Sequence, residues 1–113
     1  FNDMEASKLR RLIIFRSPAA GEFYMLREHA QDVLAAVGKE MTEQGIITRE
    51  QVPAALAALQ LAIKNAAVAA EKEERDSSVS KTEEAVRFAQ RAFPLLDMLR
   101  AASKKKVEVT WGV

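Results

Sequence analysis

Few side chains in this sequence have types and spacing suited to chemistry. His29 is the only histidine among 113 residues, and Asp32 follows three positions later in a segment with helical periodicity. An imidazole that shares a helix face with a carboxylate can bind a metal ion or transfer a proton. A zinc site needs three or four protein ligands, and there is no cysteine and no second histidine to complete one. We therefore interpret His29 as a surface histidine and expect neither a metal site nor a cofactor.

Motifs of nucleophilic and phosphate chemistry are missing from the sequence. It contains no glycine-rich phosphate loop and no Gly-x-Ser-x-Gly turn. The carboxylates of residues 71–76 and 83–84 alternate with, or are followed by, lysine and arginine, which is typical of solvated helix faces. We predict no catalytic residue. A small enzyme or ligand-binding module around Tyr24, His29 and Arg91 is the least favoured hypothesis.

A basic segment offers an alternative function. Three consecutive lysines follow the last predicted helix, where cations complement the helix dipole and discourage pairing at a strand edge. The same lysines could contact phosphates, with a tryptophan as a stacking platform, in a nucleic-acid or anion-binding accessory protein. The near balance of 17 basic and 16 acidic residues favours the structural interpretation. The candidate contact residues for a partner or an anion are Arg91, Arg100, Lys104, Lys105, Lys106 and Trp111.

Size and composition predict one domain. The first patterned segment begins at Leu12, so we place a single α+β domain at residues 12–113, preceded by an N-terminal extension over residues 1–11. The absence of cysteine fits a reducing compartment, and no signal-peptide pattern opens the sequence. The most apolar segment, residues 53–70, is rich in alanine and interrupted by Gln60, Lys64 and Asn65, so we expect it not to span a bilayer. The expected location is the cytoplasm, with no membrane partner.

Three segments have the patterns of strands. Residues 12–15 are apolar at every position, which predicts a central strand covered on both faces. A turn at residues 17–21 leads to a return strand at 22–25. At the end, Val107, Val109 and Trp111 alternate with polar residues, as in a half-buried strand, and we expect Trp111 to be at least half buried and to anchor this strand to the sheet. We predict a three-stranded antiparallel sheet in the order second–first–last (2-1-3), with three helices on one face and a loop at residues 41–47.

The three helices are recognised by periodicity and by capping residues. The first begins near Leu26 and ends at Gly38, and the second runs from Pro53 to about residue 74 behind a capping box at Thr48 and Gln51. The second capping box, Ser80 with Glu83, opens the third helix. Residues 73–80 between them are predicted to be the most mobile internal segment. The predicted core positions are Ala30, Val33, Leu34 and Val37, then Leu56, Leu59, Ile63, Ala66, Ala67 and Ala70, and finally Val86, Ala89, Phe93, Leu96 and Leu99.

Pro94 lies inside the pattern of the third helix and predicts a kink there, because proline cannot bond to the Gln90 carbonyl. In one interpretation the kink fits Phe93, Leu95 and Leu96 into the core. In the other it frees the Gln90 carbonyl and directs Arg91 toward a partner. We favour the first.

Four short segments suggest a family. The segments IIFRS at 13–17, QGII at 44–47, EQVPAAL at 50–56 and QRAFPLLDML at 90–99, with the end at Trp111-Gly112, resemble a bacterial family known as domain of unknown function 1840. The resemblance covers the chain from Leu12 onward and leaves residues 1–11 without a counterpart. Because the family has no assigned function, the resemblance carries over no catalytic or binding residue.

The first strand also suggests how the protein acts. Helices on one face of the sheet leave alternate side chains of residues 12–15 uncovered, and exposed apolar surface of this kind indicates association. Residues 1–11 are an alternative cover, but they are short and rich in charge. We therefore expect a non-enzymatic protein that acts through protein contacts as a homodimer. Its interface would include Ile13 or Leu12 and Phe15 or Ile14, depending on which face the helices cover.

Overall fold

A computed structural model describes residues 11–74 and 79–112. The elements follow one another as β1 (Leu12–Ser17), β2 (Gly21–Leu26), α1 (Arg27–Ala36), β3 (Gly45–Ile47), α2 (Val52–Glu74), α3 (Val79–Lys105) and β4 (Val109–Trp111). The predicted α+β class with three helices and an antiparallel sheet is confirmed. The mobile segment predicted at residues 73–80 includes residues 75–78, which lie outside the described part, as does the Ser80 side chain of the second capping box.

The sheet has four strands in the order β2-β1-β4-β3, all antiparallel, so the prediction of three strands is wrong. The predicted order of the second, first and last strands is confirmed, and the first strand is central. The additional strand is β3, which we predicted to be part of a loop. It has three residues and begins with glycine, so no alternation of apolar and polar residues marks it in the sequence. Pairing with β4 makes it a strand.

One cross-strand row explains how the inner face of the sheet is built. Phe15 pairs with Phe23 on one side and with Trp111 on the other, and Trp111 pairs with Gly45. The rings of Phe15 and Phe23 stack with their centroids 4.9 Å apart, and the indole is tilted against Phe15 at 6.2 Å. Aromatic side chains therefore fill three strands of the row, and the fourth strand leaves room for the indole.

The glycine at the edge of this row is required by that close contact. A Cβ atom at Gly45 would overlap the indole ring of Trp111. The indole Nε1 donates a hydrogen bond to the Thr42 carbonyl, 2.9 Å away, which joins the loop before β3 to β4. At Gly112 the backbone has a φ of +73°, and a Cβ there would overlap the Glu43 carbonyl. Both glycines thus allow the two strands to approach the same loop.

The helices cover the inner face. In α1, Ala30, Val33 and Leu34 are buried, as the periodicity predicted. The capping box before α2 is confirmed: the Thr48 N–H donates to Gln51 Oε1 at 3.1 Å, and the Gln51 N–H donates to Thr48 Oγ1 at 3.3 Å. The core cluster also includes Ile13, Phe15, Ile47, Val52, Leu59, Leu95, Leu99, Val109 and Trp111.

Helix α3 differs from its predicted stripe. It runs through Pro94 without a break, and the bend at this residue stays a prediction. Leu95 and Leu96 are buried, but Phe93 is 55% exposed, so the expectation that Phe93 enters the core is wrong. Val86 is also exposed. The buried face of this part of α3 is formed by Ala92, Leu95 and Leu99, and Phe93 lies about 100° from Ala92 around the helix, toward solvent.

The residue that follows α3 has an unusual backbone conformation. Lys106 has a φ of +58°, in the left-handed region, and the Val107 N–H donates to the Ala102 carbonyl at 3.0 Å. This is the six-to-one bond of a Schellman motif, in which the left-handed position is usually glycine. A lysine there adopts a conformation that costs an L-residue about 1–2 kcal/mol.

Lys106→Gly is expected to increase the free energy of unfolding by roughly 0.5–1 kcal/mol, because relief of the left-handed strain exceeds the extra chain entropy of glycine. Urea denaturation followed by circular dichroism measures this change. The exposed neighbour is the control: Lys105→Gly lies in the last turn of the helix and should lower stability instead. Equal effects of the two substitutions would show that the motif does not carry this strain.

Candidate functional site

The described helices leave the outer face of the sheet open. In β1, Ile13 and Phe15 point inward and are buried, so Leu12 and Ile14 point outward. Leu12 and Ile14 are only half-buried, so the expectation that β1 is fully covered on both faces is not met by the described residues.

The neighbouring strands extend this outer surface. Tyr24 is 59% exposed, Leu26 40% and Ile46 45%, although all three are large and partly or wholly apolar. The register places Leu26 beside Leu12 and Tyr24 beside Ile14. We call these five residues the open face; its members are Leu12, Ile14, Tyr24, Leu26 and Ile46.

An ion pair borders the open face at the turn end of β1 and β2. Arg16 Nε donates to Glu22 Oε2 at 2.9 Å across the strands, and both side chains are about half-exposed. Exposed pairs of this kind contribute only about 0–1 kcal/mol to stability. Thr110 in β4 lies next to Arg16 in the same row, and Ile46 lies beyond it. Over β1 and β2 the two rows of Leu12 with Leu26 and Ile14 with Tyr24 are therefore apolar, and the third row carries one cation and one anion and continues through Thr110 to Ile46.

The predicted basic residues lie along α3 and at its C-terminal end. Arg91 lies 3.9 Å from Asp32 and links α3 to α1, and Arg100 lies 3.5 Å from Asp97 in its own helix. The three lysines are exposed at the end of α3, where their charges complement the helix dipole. Each of these residues has a structural explanation in the fold.

Trp111 was predicted both as a buried anchor of the last strand and as a possible stacking platform. It is 2% exposed, and its Nε1 is bonded to the Thr42 carbonyl. The anchor is confirmed, and the stacking platform is wrong, because an enclosed indole offers no face to a base. Val109 is buried on the same side, while Val107 is only half-buried.

The hypothesis of a small enzyme or ligand-binding module required Tyr24, His29 and Arg91 to lie close together. Tyr24 lies on the open face, whereas Arg91 pairs with Asp32 on the helical side of the sheet. His29 is half-buried in α1. Within residues 11–74 and 79–112, no group of three or more histidine, cysteine, aspartate or glutamate side chains could hold a metal ion.

The Arg49 guanidinium lowers the pKa of the exposed Glu50 carboxyl by a hydrogen bond, far from these residues in the chain.

A second apolar surface lies on the helices. Leu61 and Val68 on α2 are 56% and 41% exposed, and a cleft of about 350 Å³ between α2 and α3 is lined mainly by alanines, Ile63 and Val86. In the described part of the chain, Val52–Lys72 is long and apolar enough to cross a membrane by length and composition alone. Core helices of soluble proteins share this length and composition, and the segment is more apolar than we expected.

Comparison with known families decides the relationship suggested by the sequence. The model of the family described as a domain of unknown function, DUF1840, matches residues 11–111. The chain belongs to the DUF1840 family. No curated protein matches the chain, and no solved structure does. The DUF1840 match therefore includes the whole described sheet and every described helix, but it assigns no activity to them.

Sequence reasoning found only part of the open face of this DUF1840 domain. It identified Leu12 and Ile14 as one of two alternatives and missed Tyr24, Leu26 and Ile46. For Tyr24 and Leu26 the sequence did contain a signal, the short turn at residues 18–20. This turn pairs Ser17 with Gly21, and the resulting register places Tyr24 beside Ile14. Ile46 had no such signal, because its strand was not recognised.

Proposed function

We propose that this DUF1840 domain is a non-enzymatic cytoplasmic protein that acts through protein–protein contacts and forms a homodimer through the open face. The observation that supports the proposal most strongly is the exposure of Tyr24 and Leu26 beside the half-buried Leu12 and Ile14. Contiguous exposed apolar surface on a small domain marks an association site.

A second copy is the partner that fits this surface best. Sheets pack face to face with their apolar sides together, about 10 Å apart, and two-fold dimers are the commonest assemblies of soluble proteins. Aromatic side chains such as Tyr24 are enriched in protein interfaces because the ring is apolar and the hydroxyl remains able to hydrogen-bond at the rim. The open face therefore has the composition of an interface.

Nucleic-acid or anion binding has weaker support. The proposed stacking residue is enclosed, and the two arginines are paired with carboxylates. Three exposed lysines remain, on a chain whose net charge is +1. A large phosphate-binding surface needs a clearer excess of basic charge.

Sedimentation equilibrium over a micromolar concentration series tests the proposal. The monomer mass is 12.5 kDa, so a dimer has about 25 kDa, twice that value. We expect the mass to rise to the dimer value as the concentration increases. A mass that stays at 12.5 kDa throughout the series would contradict the proposed homodimer.

A further inference from the structure

The open face has an internal order that selects how a second copy can dock. Over β1 and β2, the open face and the ion pair that borders it form three cross-strand rows: Leu12 with Leu26, Ile14 with Tyr24, and Arg16 with Glu22. Two rows are apolar, and the third is the ion pair at 2.9 Å. Each row thus contains one residue from each strand, and in the charged row the two residues have opposite charge.

A two-fold axis that brings two such faces together lies between the sheets, and its direction determines which rows meet. An axis across the strands reverses the rows, so the ion pair of one copy would be buried against the leucine row of the other. Removing charges from water without a new partner is costly. An axis along the strands keeps every row against the same row of the partner, and this direction is the favourable one.

The charges also determine where an axis along the strands must lie. An axis directly over β1 would place Arg16 against the partner's Arg16, which is repulsive. An axis over the boundary between β1 and β2 exchanges the two strands. Arg16 then lies opposite the partner's Glu22, and Ile14 lies opposite the partner's Tyr24. Both ion pairs and both apolar rows are complementary in this arrangement.

We propose that the second copy docks about a two-fold axis that runs along the boundary of β1 and β2, with Arg16 of each protomer paired to the partner's Glu22. The inference rests on the proposed homodimer and adds its geometry. In the dimer, four charges form an alternating square in which each guanidinium has a carboxylate in its own chain and another across the interface. The square fixes the register of the two sheets.

Two single charge reversals test this geometry. Arg16→Glu gives a face with two carboxylates, and Glu22→Arg gives a face with two guanidinium groups. Each variant alone is expected to self-associate at least tenfold more weakly than the wild-type chain in sedimentation equilibrium, because like charges meet across the axis. An equimolar mixture is expected to recover the dimer mass as a heterodimer, because every guanidinium again meets a carboxylate.

The mixture separates contacts within a chain from contacts between chains. The ion pair within each chain is broken in both variants, so recovery on mixing can only come from the partner. Both side chains are about half-exposed, and circular dichroism checks that each variant keeps the fold. If wild-type chains dimerise but the single variants do so equally well, or if the mixture remains weak, the docking geometry is wrong while the homodimer stands. A monomeric wild-type chain would overturn the homodimer itself.

Discussion

Trp111→Ala is expected to lower the free energy of unfolding by about 3–5 kcal/mol, the cost of emptying a large aromatic site in a core. The indole is 2% exposed, packs on Phe15 and covers Gly45, so its removal leaves a cavity beneath two strands at once. A loss of this size is a large part of the total stability of a small domain, roughly 5–15 kcal/mol. Urea denaturation followed by circular dichroism measures it.

Trp111→Phe is the matched control. It keeps an aromatic ring in the row but removes the Nε1 donor to the Thr42 carbonyl. We expect it to cost about 1–2 kcal/mol, from the lost hydrogen bond and a smaller cavity. A cost below about 1 kcal/mol for the alanine variant would contradict the burial of this side chain.

Tyr24→Asp is expected to weaken the dimer at least hundredfold. A central aromatic residue of an interface contributes about 2 kcal/mol or more, and a two-fold dimer contains it twice. About 4 kcal/mol corresponds to roughly a thousandfold change in the dissociation constant, so a hundredfold loss is a conservative expectation. Sedimentation equilibrium gives the dissociation constants of the variant and the wild-type chain.

Leu61→Asp is the control for this substitution. Leu61 is an apolar residue of α2 that is 56% exposed, close to the 59% of Tyr24, but it lies on the second apolar surface. We expect Leu61→Asp to leave the dissociation constant within a factor of about three, since it lies outside the proposed interface. The reverse result, in which Leu61→Asp dissociates the dimer and Tyr24→Asp does not, would place the interface on the helices.

The elements that could be predicted from the sequence are those in which local signals agree with tertiary packing. The capping box at Thr48 and Gln51 forms both of its bonds, and the apolar stripe of α1 is buried as predicted. Strand β3 was missed because its three residues are held by pairing with β4. The paired residues are at least 62 positions apart in the sequence, as Ile47 is from Val109. No local pattern records such a contact.

In α3, helical periodicity predicted buried side chains that are exposed in the structure. Val86 and Phe93 have the spacing of a core stripe, yet both are more than half exposed. The period of a helix predicts which residues share a face, but it does not predict which apolar face of the helix is buried. For the open face the same holds: the pattern of β1 predicted an uncovered side, and the register with β2 and β4 was needed to place Tyr24 and Ile46 on it.

Intermolecular nuclear Overhauser effects test the open-face dimer most directly. The sample mixes isotope-labelled and unlabelled wild-type chains, and an isotope filter retains only contacts between copies. We predict contacts from the Ile14 and Leu12 methyl groups to the ring protons of the partner's Tyr24 and the methyl groups of the partner's Leu26. Intermolecular contacts that involve Leu61 and Val68 instead, or a dimer with none from the open face, would contradict the account.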